Sequence, residues 1–417
     1  MHRRALLGAL TAAAATAATS CARRSSDGRT VATLWFSYGG KNREVLLELV
    51  ARFNAAQAKH RVETTYQGDY FEALAKVRTA LAAGVAPTFT HVVGEVVPYL
   101  ARAGVLEPLA GYEGADALGL VPELAQEGAF SGGGSRPLVG VPFNRSTPIM
   151  LYDAAALDRV GAAPPTTWDE LRALAARFVR GGTEFGFEVP ISWWFWVAMV
   201  GQAGGAIVEG DGTVSLGGEA GVRALAFWQD LVHRDRSMRP PPGRDYNAWQ
   251  ATNQDFLSRR VPLIWTSTAF LRYLEETARF PVRAAPLPRD VRASVPTGGT
   301  MFVLLRSAPE AEKLAAWAFL RFMCETEQTI EWATRTGYLP VTTRAIEALR
   351  ARGFYAAHPN DDVALRQLPA VQPWPWSPEL FRIQREVVEP RLEDAVLSGR
   401  DARAVLDEAR LAAKDET

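Results

Sequence analysis

Val31-Ala32-Thr33-Leu34-Trp35-Phe36 opens the stretch on which the fold turns, and its apolar, β-branched and aromatic residues read as a strand. From Arg43 to Lys59 the residues Val45, Leu46, Leu49, Val50 and Phe53 recur at helical spacing, which gives a helix with one apolar face. Val62-Glu63-Thr64-Thr65-Tyr66 alternates as a second strand. Tyr70 to Ala83 reads as a helix stopped by Gly84, and Thr88 to Val93 as a third strand. Strand, helix, strand, helix, strand predicts a parallel, doubly wound sheet, because each crossover lays a helix on a sheet face.

The alternation returns downstream. Leu138 to Asp153 is extended, and Pro164-Pro165 precedes a helix. There Thr167 and Glu170 make a capping box ahead of the face Trp168, Leu171, Leu174 and Phe178. Val222 to His233 reads as a helix and Val261 to Trp265 as a strand. Ser307 with Glu310 predicts a second capping box, opening a helix that carries Leu314, Trp317, Phe319 and Leu320, and Gly337 ends the segment after it. Ser131 to Ser135 and Arg239 to Gly243 are local loops, and no internal repeat is visible.

A chain of 417 residues has material for about two domains, and 48% hydrophobic residues can fill two cores. Lys+Arg and Asp+Glu are equal at 46 each, so the basic excess of a nucleic-acid binder is missing. Twelve Trp are more than packing alone calls for, which leaves some rings for stacking on a ligand.

At the N-terminus, Met1-His2-Arg3-Arg4 is a short basic region followed by the apolar run Ala5 to Ala18. This is the anatomy of a secretory signal and is too short for a flanked membrane span. Ala17-Ala18-Thr19-Ser20-Cys21 resembles a bacterial lipoprotein cleavage site, which would make Cys21 the lipidated residue and 1–21 the signal. Arg3-Arg4 leaves twin-arginine export open beside the general route. Residues 22–29 are a polar tether. With Cys21 acylated, Cys324 has no disulfide partner and reads as a small buried hydrophobe.

Catalytic motifs are missing. There is no Gly-rich loop ending in Gly-Lys-Ser/Thr, no His-Glu-x-x-His, no Cys-x-x-Cys and no Gly-x-Ser-x-Gly. The five His lack metal-ligand spacing, so neither a metal nor a cofactor is called for. A two-carboxylate glycosidase leaves no motif to search for and stays as a remote alternative, an exported hydrolase.

A set of short segments occurs in fixed order: Gly68-Asp69-Tyr70, Ala86-Pro87, Pro142-Phe143-Asn144-Arg145-Ser146-Thr147-Pro148, Gly298-Gly299, Thr336-Gly337-Tyr338-Leu339-Pro340, Gly353-Phe354-Tyr355 and Leu365-Arg366-Gln367. Together they resemble the sn-glycerol-3-phosphate-binding proteins of ABC importers, within the family-1 extracellular solute-binding proteins that also include maltose binders. The resemblance runs over about residues 31 to 411. It implies a non-enzymatic, monomeric receptor that delivers a small polar ligand to membrane permease subunits. The ligand would be glycerol-3-phosphate or a glycerophosphodiester, with an oligosaccharide as the alternative. The implied fold is the α/β, two-lobed, type II periplasmic-binding-protein fold with its ligand cleft between the lobes. Carried onto this sequence, lobe one is 30–143 plus 300–337 and lobe two is 148–295 plus 341–411. The crossings fall near 143–147, 295–299 and 337–341.

The same resemblance implies the site. Tyr70 would stack on and hydrogen-bond a glycerol or sugar. Ser146, Ser267, Thr268 and Tyr338 would bind oxygens, and Gly298 and Gly299 would let backbone approach the ligand. Arg366 would supply the planar fork that matches a phosphate. One of Trp193, Trp194 and Trp196 would form the second-lobe wall, since alternate positions on a strand cannot all be core. The family has a Glu where this chain has Gly94. Either Glu95 serves in its place, or the carboxylate is missing and Gly94 leaves room for a phosphodiester substituent. If Cys21 carries the lipid, Cys21→Ser should move the protein from the membrane fraction to the soluble one. A freely soluble wild-type protein whose chain starts before Cys21 would contradict it.

Overall fold

The structure, a computed structural model, describes residues 22–37, 39–129, 138–181 and 184–415. The expected signal, Cys21 and the Ser131 to Ser135 loop lie outside the described residues. In chain order the strands are β1 (Thr30–Phe36), β2 (His60–Tyr66), β3 (Phe89–Val93), β4 (Val141–Ser146), β5 (Pro148–Asp153) and β6 (Phe187–Glu188). They continue with β7 (Leu263–Ser267), β8 (Val282–Ala285), β9 (Val295–Pro296), β10 (Gly298–Leu304) and β11 (Val371–Gln372). The first lobe is built on a sheet of order β2-β1-β3-β10-β4, the second on β6-β7-β5-β8. β1 is parallel to β2 and β3, as the opening stretch predicts, whereas β10 is antiparallel to both β3 and β4. The reversal follows from the path: β10 arrives from the other lobe, not over a local crossover helix.

Period-2 alternation fills two cores per sheet. Along β10, Phe302 and Leu304 enter the cluster of Leu34, Phe36, Phe89 and Phe319, while Met301 and Val303 join Leu74, Val77 and Val92 on the opposite face. In the second lobe, Met150, Leu263 and Trp265 pack on one face, and Ile149, Leu151 and Ile264 on the other. The helix Gly40–Ala56 buries Val45, Leu46, Leu49, Val50 and Phe53, the stripe read from sequence. The Thr167–Glu170 capping box is present. The one at Ser307 and Glu310 is not: the helix starts at Glu310 behind Pro309, with no side-chain cap. Cys324 is buried, and burial pushes its thiol up to about 12. No helix among the described residues is long and apolar enough to cross a membrane.

The lobes are joined at two fully buried threonines, Thr147 between β4 and β5 and Thr297 between β9 and β10. The third segment docks on the first, with the Leu339 N–H donating to the Arg145 carbonyl at 2.7 Å. First-lobe bonding continues beyond the expected 341. Val121 N–H donates to the Val341 carbonyl at 3.0 Å, and Thr343 N–H to that of Gly119 at 2.9 Å. Second-lobe bonding resumes with Asn360 and Gln367, which accept from the N–H groups of Ala284 and Leu287.

Arg145 ties these segments together. Its side chain is fully buried, pairs with the equally buried Glu127, and donates to the Gly299 carbonyl at 3.2 Å. Glu127 also accepts from the Thr297 hydroxyl. Removing one partner of such a pair leaves a buried charge unmatched, which typically costs about 3–5 kcal/mol. Glu127→Ala should lower stability in urea unfolding by about that amount. Replacing the pair jointly, as Glu127→Leu with Arg145→Met, should cost less. A loss under about 1 kcal/mol for Glu127→Ala would mean that solvent reaches Arg145.

Candidate ligand-binding site

Asp69 sets the first-lobe wall. Its carboxylate accepts from the N–H groups of Phe71 and Glu72, both at 2.8 Å, and forms a capping box with Glu72. This cap puts Tyr70 on the first turn of the helix Tyr70–Ala82. Its hydroxyl meets that of Tyr338 at 3.4 Å, and Asn144 Nδ2 donates to both, at 3.0 Å and 3.3 Å. Asn144 is oriented in turn by Thr300, whose N–H donates to Oδ1 at 2.8 Å. Tyr70 and Tyr338 are thus brought together through an amide that was not singled out. The signal for Asn144 lay inside the segment Pro142 to Pro148.

At the crossings, Ser146 and Gly298 face each other. A Cβ on Gly298 would lie 2.6 Å from Trp194 Cζ2 and 2.8 Å from Ser146 Oγ, so this glycine makes room for the indole edge. Gly299 has φ +80°, and a Cβ there would collide with the Asn144 carbonyl. The Trp run is a helix, Trp193–Gln202, not a strand. Helical spacing turns Trp193 and Trp196 inward together, where both are buried, and leaves Trp194 half-exposed. Of the three candidates, the structure thus leaves only the Trp194 ring at a surface. Its N–H donates to the Thr297 carbonyl at 2.9 Å, as does that of Trp374, which the sequence reading missed. Thr268 is spent on structure: its N–H and hydroxyl bond the carbonyl and N–H of Thr147. Ser267 caps Ala269 N–H at 3.2 Å.

The charged residues differ most from expectation. The space beside Gly94 is not open, because a Cβ there would run into the Glu127 carboxylate. Glu95 is the neighbouring acid, and burial pushes it up to about 7, helped by the nearby charges of Glu127 and Glu389. Arg366 does not join the cluster. It projects from the helix Pro359–Gln367, 60% exposed, paired with Asp362 one turn earlier at 3.0 Å. The adjacent Gln367 is the buried one, donating to the Pro148 carbonyl at 3.0 Å. A different guanidinium reaches the first-lobe wall. Arg385 lies 4.1 Å over the ring of Phe71, the residue after Tyr70, and donates to Glu389 at 2.7 Å. Phe381 from the same C-terminal segment stacks on Phe71 with centroids 5.9 Å apart. No cluster among the described residues has the side chains to hold a metal ion.

Because Glu95 is raised above its ordinary 4.5, the folded protein keeps a proton that the unfolded chain releases. Its contribution to stability is present below about pH 4.5 and is lost as pH rises through 7. Glu95→Gln should therefore flatten the fall in Tm between about pH 5 and pH 8 in the ligand-free protein. Glu188, pushed up to about 8 by burial and the neighbouring Asp255, keeps a slope of the same sign in both proteins. Parallel Tm curves for variant and wild type would refute the assignment.

A family model described as bacterial extracellular solute-binding protein matches residues 48–360. The sn-glycerol-3-phosphate-binding periplasmic protein UgpB of Yersinia pestis is 25% identical over 402 residues, 89% of each chain. Its namesake from Escherichia coli O1:K1 is 24% identical over 407 residues, 91% of each. In fold, the chain is similar to UgpB from Mycobacterium tuberculosis in complex with glycerophosphocholine, with a TM-score of 0.82 and 24% identity over 93% of this chain and 98% of that one. Maltose-bound MalE3 of T. maritima gives a TM-score of 0.81 at 19% identity, covering 93% and 100%. With two sheets joined by the crossings at Thr147 and Thr297 and a family match over most of its length, the chain belongs to the bacterial extracellular solute-binding proteins.

Proposed function

We propose that the protein is the exported, monomeric receptor of an ABC importer, held at the membrane by a lipid on Cys21, that captures a glycerophosphodiester or glycerol-3-phosphate between its lobes and hands it to the permease subunits. One observation carries this reading. The polar cradle of the Tyr70 and Tyr338 hydroxyls and the Asn144 amide stands at the crossings, with the Arg385 guanidinium over the adjoining Phe71. The cradle suits glycerol oxygens, and Arg385 suits a phosphate, whose burial without a cation is costly. The relatives that bind sn-glycerol-3-phosphate by name support the same class. The half-exposed Trp194 ring favours a second reading, an oligosaccharide receptor, as do maltose-bound relatives of the same fold. Release of glycerol-3-phosphate from a glycerophosphodiester would instead point to an exported hydrolase.

Calorimetry with glycerophosphocholine, glycerol-3-phosphate and maltose separates these readings. Both phosphates should bind wild type. Arg385→Ala should weaken them about tenfold to a hundredfold, the worth of a charge-assisted hydrogen bond, while Arg366→Ala changes little. Tight maltose binding with no heat from either phosphate would establish the sugar reading instead.

A further inference from the structure

A row of aromatic rings leaves the crossings along the second lobe. It starts at Trp194, fixed by its bond to the Thr297 carbonyl. Trp249 follows at 5.5 Å between centroids, Phe270 stacks on Trp249 at 5.8 Å, and Tyr246 lies 6.2 Å from Phe270. Exposure rises outward: Trp194, Trp249 and Phe270 are half-buried, and Tyr246 is 55% exposed. The row lies toward the first lobe: burial pushes the Tyr70 phenol up and Tyr246 adds to that, while burial pushes the Tyr246 phenol up and the first-lobe Tyr66 adds to that. Tyr66 is exposed, but the Arg43 guanidinium already lies over its ring at 5.2 Å. That face of Tyr66 is therefore already taken by a cation, whereas none is seen over the Tyr246 ring among the described residues. Trp194, Trp249 and Phe270 also pack against the second-lobe cores, but core packing does not account for Tyr246, whose ring stands in solvent.

We propose that this row is a subsite for the alcohol part of a glycerophosphodiester, that it selects a quaternary ammonium such as choline, and that Tyr246 is its selective ring. The inference rests on the phosphate reading of the cradle. A trimethylammonium group has no N–H to hydrate, so it gives up little water when it settles on π faces. The primary ammonium of ethanolamine keeps three donors that the rings cannot satisfy. A ligand whose glycerol lies at Tyr70 and Tyr338 and whose phosphate meets Arg385 has its alcohol left to extend outward along this row. Glycerol-3-phosphate ends short of it.

The test is calorimetry on wild type, Tyr246→Ala and Tyr246→Phe with glycerophosphocholine, glycerophosphoethanolamine, glycerol-3-phosphate and maltose. Wild type should prefer glycerophosphocholine to glycerophosphoethanolamine. Tyr246→Ala should weaken glycerophosphocholine about threefold to thirtyfold, the range of a cation–π contact, and leave glycerol-3-phosphate within about twofold. Tyr246→Phe should retain the preference, since the ring and not the hydroxyl makes the contact. Unchanged glycerophosphocholine affinity in Tyr246→Ala, or an equal loss for both phosphates, would overturn the subsite while leaving the phosphate reading intact. Maltose binding with neither phosphate binding would overturn both.

Discussion

A single buried ion pair sets the geometry of the molecule. Arg145 and Glu127 are both shielded from water, and each also holds a chain segment: Arg145 the Gly299 carbonyl, Glu127 the Thr297 hydroxyl. The Arg145 carbonyl takes the third segment through Leu339. Two charges removed from water are stable only when matched this closely, so the three segments are confined to one arrangement. Alternation along β4 then does the rest. With Arg145 turned to Glu127, its neighbours Asn144 and Ser146 turn the other way, to the tyrosine cradle and to Gly298. The lock that joins the lobes and the groups proposed to meet a ligand are consecutive residues of one strand.

The pair also decides what the first lobe presents. Its carboxylate takes the room that a side chain at position 94 would need, so the acid there is supplied from Glu127, far along the chain, and is spent on Arg145. Glu95 is left as the nearest acid, in surroundings that favour its neutral form. A neutral carboxyl donates a hydrogen bond without opposing a ligand's phosphate charge.

Residues 374–385 complete the interlobe face. Trp374 bonds the crossing residue Thr297, Trp376 and Phe381 pack with the first-lobe cluster around Leu74 and Val92, and Arg385 covers Phe71. A late segment of the second lobe, ahead of the helices Glu389–Ser398 and Ala402–Lys414, therefore reaches the first. Motion between lobes must carry or break these contacts.

The sequence by itself determined the local and periodic features. Stripes such as Val45 to Phe53, the cap at Thr167 and Glu170, and the strand–helix alternation from Val31 to Val93 depend on neighbours a few residues apart, and they hold. The ordered segments also marked Tyr70, Tyr338 and Gly298-Gly299, which do gather at the crossings. What required tertiary structure was the choice between chemically equal residues. The ordered segments pointed to Arg366 and passed over Arg385; each pairs with an acid one turn away, Asp362 or Glu389, yet the first stands on the surface and the second reaches across to Phe71. Trp193, Trp194 and Trp196 read alike until a helical turn hides two and leaves one half-exposed. Glu127 gave no local signal, because its meaning comes from Arg145, 18 positions away, and Thr297, 170 positions away. Spacing along a chain fixes which faces are apolar. Which charge meets which is settled only when distant segments are packed and water is driven from between them.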